Sequence, residues 1–95
     1  MSNAEQLSNF IQRVTSDGKL NTSHISMCTA LCSAWIANGL TNPFNISRKS
    51  IMTAAKIKST STYHRILNDL AALKYFQYKP SFHPAKGSQV FILSE

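Results

Sequence analysis

The apolar residues of this chain change period at Tyr75, and that change limits what it can fold into. Up to Lys74 they recur mostly at helical spacing, with one short alternating piece at Phe44-Asn45-Ile46. Beyond Lys74 they gather in two short strand-like runs, Tyr75-Phe76-Gln77-Tyr78-Lys79 and Ser88-Gln89-Val90-Phe91-Ile92-Leu93. Pro80, Pro84 and Gly87 punctuate the loop between the runs. The chain thus reads as a helical segment followed by a β-hairpin.

Four helices are expected ahead of the hairpin. Leu7, Phe10, Ile11 and Val14 form one face of a short amphipathic helix, ended by Asp17-Gly18. A second helix runs from about His24 to Asn38. Its apolar face reads Ile25, Cys28, Leu31, Cys32, Trp35 and Ile36, with Gly39 as a left-handed end and Leu40 beyond it. Asn42-Pro43 is a turn, and Phe44-Asn45-Ile46 a short strand. Ser47 caps a short helix from Arg48 to about Lys56, carrying Ile51, Met52, Ala54 and Ala55. After Ile57-Lys58, Ser59 or Thr60 caps a longer helix to about Lys74, carrying Tyr63, Ile66, Leu67, Leu70 and Leu73. The expected class is mainly α with a small β-hairpin. Residues 1–22 form an N-terminal amphipathic helix, a possible dimerisation arm, and 23–95 the main domain.

The order of helix, short strand, short helix, tight turn, longer helix and hairpin resembles the winged helix-turn-helix transcription regulators. It resembles in particular small ones carried on bacterial mobile elements. The resemblance covers roughly Ser23 to Leu93. It rests on Phe44-Asn45-Ile46-Ser47, on Ser59-Thr60-Ser61-Thr62-Tyr63-His64, on Leu73-Lys74-Tyr75-Phe76 and on Lys86-Gly87-Ser88. It implies sequence-specific binding of double-stranded DNA and transcription regulation. Fold likeness alone does not decide function, so the residues must carry the case.

Charge supplies part of it. The 95 residues carry a formal net charge of +6. Glu5, Arg13, Asp17 and Lys19 cancel in the first part. Arg48, Lys49, Lys56, Lys58, Arg65, Lys74, Lys79 and Lys86 follow, with Asp69 the only acid among them. A basic half beside a neutral half suits a polyanion. On the helix from Thr60, the side opposite the apolar sector holds Ser61, Arg65, Asn68 and Ala72, with His64 beside it and Asp69 at the margin. Arginine pairs with guanine and asparagine with adenine, and small hydroxyl residues near a helix start allow close approach to a groove. Ser61, Thr62, His64, Arg65 and Asn68 are the expected base contacts.

Arg48 and Lys49 start a helix, where the dipole favours acids; a phosphate explains them better than local stability does. Ser59 and Thr60 sit where helix amides attract phosphate. The hairpin tip, Pro80 to Gly87, holds His83 and Lys86, with Lys79 at its base. These six, Arg48, Lys49, Ser59, Thr60, Lys79 and Lys86, are the expected phosphate contacts. Lys56 and Lys58 fit either a phosphate or a favourable charge at a helix C-terminus.

Other chemistries find little footing. His24, Cys28 and Cys32 share a helix stripe, but three ligands among Ile25, Leu31 and Trp35 read as core, so no metal site is expected. The four acids form no catalytic pair, and there is no phosphate loop or nucleophile elbow. No enzyme activity, cofactor or small-molecule substrate is expected. The aromatic strand residues Tyr75, Phe76, Tyr78 and Phe91 read as core sooner than as a single-strand stacking platform. No signal sequence or membrane span is read, and two helical cysteines fit a reducing cytoplasm. The alternative to DNA binding is a winged helix serving protein–protein assembly in a DNA transfer or replication complex. The face of Leu7, Phe10, Ile11 and Val14 can fold back on its own domain or meet a second chain; a two-fold homodimer is favoured here, with half-sites one DNA turn apart.

Overall fold

The computed structural model describes residues 2–80 and 87–93. Lys86 and His83 therefore lie outside the described residues. The chain is mainly helical, with four helices and a small antiparallel sheet among those residues. The elements are α1 (Asn3–Ser16), α2 (Thr22–Ala37), β1 (Phe44–Ile46), α3 (Arg48–Ala55), α4 (Thr60–Ala72), β2 (Phe76–Lys79) and β3 (Ser88–Ile92). No helix among the described residues is long and apolar enough to cross a membrane.

Side-chain caps start every helix. Ser2, Asn21, Ser47 and Ser59 accept the N–H of Glu5, His24, Ser50 and Thr62 respectively. Asn21 is thus the cap of α2, which begins at Thr22, so the division expected after residue 22 falls inside its first turn. Three helices end alike. In α2 the Leu40 N–H reaches the Trp35 carbonyl and the Gly39 N–H that of Ile36. In α3 Ile57 reaches Met52 and Lys56 reaches Thr53; in α4 Tyr75 reaches Leu70 and Lys74 reaches Ala71. This is the paired-bond ending in which a residue turns left-handed and an apolar residue follows; in α2 that apolar residue, Leu40, is left-handed as well, at φ 59°. Gly39 fills that position in α2, at φ 72°, as its lack of a Cβ favours. Lys56 and Lys74 fill it in α3 and α4, at φ 61° and 67°.

The sheet order is β1-β3-β2. Phe44 lies opposite Val90, and Phe76 opposite Ile92. Phe44, Ile46, Phe76, Val90 and Ile92 face the core, while Asn45, Gln77, Lys79, Gln89 and Phe91 face outward. Of the four strand-region aromatics, Tyr75 and Phe76 are buried, Tyr78 is half-buried, and Phe91 stands exposed. Asn42 extends the sheet with its side chain, accepting from the Ile92 N–H at 3.0 Å and donating to the Ile92 carbonyl at 3.3 Å. Gly87 packs so closely that a Cβ there would stand 2.5 Å from the Ile46 carbonyl oxygen.

Trp35, Leu31 and Met27 of α2 occupy the centre of the core, against Tyr63, Ile66, Leu67 and Leu70 of α4 and Ile51 of α3. The α2 face differs from expectation. Met27 and Ala30 are buried, while Ile25 and Ile36, read as inward, are exposed. In α4 Leu67 is fully buried, because α2 and β2 both pack on that helix.

The α1 helix joins the same core. Phe10 and Val14 are buried and Leu7 half-buried, whereas Ile11 is exposed. Phe10 meets Trp35 and Tyr75 edge to face, at 6.4 and 6.1 Å between ring centroids. Arg13 donates to the carbonyls of Leu73 and Lys74 at 2.6 and 2.7 Å, and its guanidinium lies 4.0 Å from the centroid of the Tyr75 ring. An arginine across the last carbonyls of α4 also interacts favourably with the negative C-terminal end of that helix's dipole. Most of the α1 apolar face is thus covered within one chain.

The Tyr75 hydroxyl donates to Asp17 at 2.6 Å, and the Lys19 N–H donates to the other Asp17 oxygen at 2.9 Å. These bonds hold the Asp17 carboxyl below its usual value, the Tyr75 bond foremost. Burial, with the same bond, pushes Tyr75 up to about 12. A carboxyl whose folded value is depressed adds stability above about pH 4 and loses it as pH falls through the folded value. The thermal midpoint is expected to fall below about pH 4, and to fall less in Tyr75→Phe. Melting curves over the acid range check this; an equal fall in both proteins removes the Asp17 link.

Candidate nucleic-acid interface

The outward side of α4 is built by its own caps and core contacts. Ser59 starts the helix, its Oγ accepting the Thr62 N–H at 3.3 Å and lying 2.9 Å from the Ser61 Oγ. Tyr63, Ile66, Leu67 and Leu70 anchor the inner side. Ser61, His64, Arg65, Asn68 and Ala72 are left exposed on the other, while Thr62 is half-buried. Of the five expected base contacts, four therefore share one accessible strip, and Thr62 lies at its edge. The Tyr63 ring packs edge-on to His64 at 5.1 Å between centroids, which steadies that exposed imidazole.

Asp69 borders this strip and is held from beneath. The buried His24 accepts the Asn21 N–H at Nδ1, at 3.1 Å. The ring proton therefore sits on Nε2, which donates to Asp69 Oδ2 at 3.0 Å. Arg65 Nη1 stands 3.9 Å from the same oxygen. His24 was weighed in the sequence as a metal ligand beside Cys28 and Cys32. It instead closes the α2 cap and ties that helix to α4; the spacing Asn21-x-x-His24 is the capping signal for it. Both thiols are buried, and burial pushes Cys28 up to about 12 and Cys32 to about 11. Such thiols are poor nucleophiles. No cluster of three or more His, Cys, Asp or Glu among the described residues is arranged to hold a metal.

The α3 side contributes the charge. Ser47 caps α3, so Arg48 and Lys49 occupy its exposed first turn. Together with Lys56, Lys58, Thr53 and Thr60 they line one open groove over Met52 and Ile57. Four cations and two hydroxyls thus meet with no acid among the lining residues. The sequence separated Arg48 and Lys49 from Lys56 and Lys58; the turn after α3 brings them together. Lys56 stands in the left-handed position that glycine fills most readily. Local backbone preference disfavours lysine there, as it does at Lys74, which fills the same position in α4.

Lys79 sits apart. It lies on the outer face of the sheet, opposite Gln89, in a shallow depression shared with Pro43, Gln77 and Phe91. That depression and the α3 groove have no residue in common. Lys86, the remaining expected phosphate contact, lies outside the described residues. Compared with protein-family models, curated proteins and solved structures, the chain finds no match.

Proposed function

We propose that this chain is a sequence-specific double-stranded DNA-binding protein of the winged helix-turn-helix kind, acting in transcription regulation and not in catalysis. In this reading α3 and α4 form the helix-turn-helix pair, α4 enters the major groove, and the β2–β3 hairpin is the wing. Ser61, His64, Arg65 and Asn68 read bases, with Thr62 at the margin. Arg48, Lys49, Lys56 and Lys58 hold phosphates, helped by the hydroxyls of Ser59 and Thr60 at the α4 N-terminus. Lys79 and Lys86 add contacts from the hairpin.

The observation that carries the reading is the acid-free groove of Arg48, Lys49, Lys56 and Lys58, set at the start of the helix whose exposed side holds Arg65 and Asn68. A solvated helix side would ordinarily carry mixed Glu and Lys pairs. The pair of Arg65 with Asp69 does not oppose the reading, because an exposed ion pair contributes at most about 1 kcal/mol.

Binding to random duplexes, titrated with salt, tests the class. A DNA-binding protein weakens steeply as salt rises, and a module built only for protein assembly shows no duplex binding. Selection of bound sequences from random duplexes then supplies the preferred site. On that site Arg65→Ala is expected to lose about 1–3 kcal/mol and to relax the choice at one base pair. Its melting temperature should hold, since Arg65 is exposed. Unchanged affinity and unchanged sequence preference would remove Arg65 from the readout.

A further inference from the structure

Asp69 is the only Asp or Glu from Leu20 through Ser94, and it borders the side of α4 proposed to face DNA. Three ordinary effects oppose a carboxylate there. It stands in the last turn of α4, where the helix dipole favours cations. It follows Arg65 by four positions, and an ion pair in that order supports a helix less than the reverse order does. Beside a duplex it also repels phosphates. Its bond to His24 does not require the charge. The imidazole is neutral, with its proton on Nε2, and an amide oxygen in the same place also accepts such a proton. The group that uses the charge is Arg65, whose Nη1 lies 3.9 Å from the oxygen that His24 holds.

We propose that Asp69 is a positioning residue for base readout: it holds the Arg65 guanidinium in the orientation that pairs with guanine, and guanine is the base selected at the Arg65 position. The inference rests on the reading of α4 as the recognition helix. The Arg65 side chain is long and 61% exposed, so unaided it must give up much rotamer freedom to present a fixed fork. Guanine offers O6 and N7 to two N–H groups of that fork, which leaves others for a carboxylate. A neighbouring acceptor orients the fork only if it is itself fixed, and Asp69 is. Its Oδ2 takes the His24 Nε2–H at 3.0 Å. The His24 ring is only 9% exposed, and its Nδ1 is anchored in turn by the Asn21 N–H at 3.1 Å. In water the pair of Arg65 with Asp69 contributes little. Between the helix and the floor of a groove, where water is excluded, the same pair strengthens.

Selection of bound sequences with the full chain, followed by titration of the selected site and of duplexes altered at the guanine, tests this. Asp69→Asn keeps an acceptor for His24 and removes the charge. Its preference for guanine at one position is expected to fall by roughly tenfold. Its affinity for random duplexes should hold or rise, because one repulsion of phosphate is gone. A merely structural role would lower both together with the melting temperature. Arg65→Ala should lose preference at the same position, and adding Asp69→Asn to it should change that preference no further. If Asp69→Asn is poorly folded, Asp69→Glu and Asp69→Gln replace it. These two share a length and differ in charge, and the Glu variant should keep more of the guanine preference. Unchanged preference in Asp69→Asn beside a relaxed Arg65→Ala overturns the inference and leaves the recognition helix standing, as does equal preference in the Glu and Gln variants. A base other than guanine at the Arg65-dependent position overturns it also. An unaltered chain without salt-sensitive duplex binding overturns the recognition helix itself, and the role of Asp69 with it.

Discussion

Truncation of Trp35 to alanine is expected to destabilise the fold by about 3–5 kcal/mol. A domain of this size has a net stability of about 5–15 kcal/mol, so the variant should lose a large share of it. The size of the effect follows from position. Trp35 is fully buried in α2 and touches the Phe10 ring, so it couples α1 to the α2–α4 core. Its removal leaves a cavity in a region packed on every side, with little freedom to collapse. The indole N–H has no acceptor among the described residues, so the ring's contribution comes from packing and burial. Trp35→Phe keeps most of the ring and removes that unpaired donor, and it should cost much less than Trp35→Ala. Urea unfolding of the three proteins checks the order. Equal losses in Phe and Ala would mean that the side chain's exact shape, not its bulk, holds the core.

The parts of the fold that were legible in the sequence are those set by short-range chemistry. Ser47, Ser59 and Gly39 announce helix ends because a hydroxyl cap and a left-handed residue act within a few positions. The hairpin runs were legible because their period differs from that of the helices. The rotation of α2 was not legible, and the reason is physical. An apolar pattern fixes a helix's phase only against a polar side, and α2 has no charged residue to mark one. Ile25 and Ile36 were therefore assigned inward when they face out. Contacts between distant positions were also hidden. Arg13 caps α4 across 60 residues, and His24 reaches Asp69 across 45. Neither side chain signals its partner, although the Asn21–His24 spacing signals the cap. In the candidate site, the strip of Ser61, His64, Arg65 and Asn68 could be read from one helix's period. The groove could not, since it needs the turn after α3 to bring Lys56 and Lys58 against Arg48 and Lys49.

That groove gives the largest expected effect on binding. Replacing Arg48, Lys49, Lys56 and Lys58 together by Gln should weaken every duplex by on the order of 10³-fold at physiological salt. The argument is counterion release: each phosphate neutralised contributes about 0.9 to the slope of log affinity against log salt. Loss of the four contacts should therefore flatten the slope by about three to four units. The fold should persist, because these side chains are exposed and make no ion pair among the described residues. Phosphates carry no direct sequence information, so the ranking of sites should be unchanged in this variant. Arg65→Ala should do the opposite, altering the ranking while leaving the salt slope nearly intact. Lys79→Ala provides the contrast from the separate sheet face, with an expected change of about one unit if the hairpin touches the duplex. A quadruple variant that retains the original slope would place the DNA away from α3. The outward strip of α4 would then have no phosphate clamp beside it, and the helix-turn-helix reading would fail at its foundation.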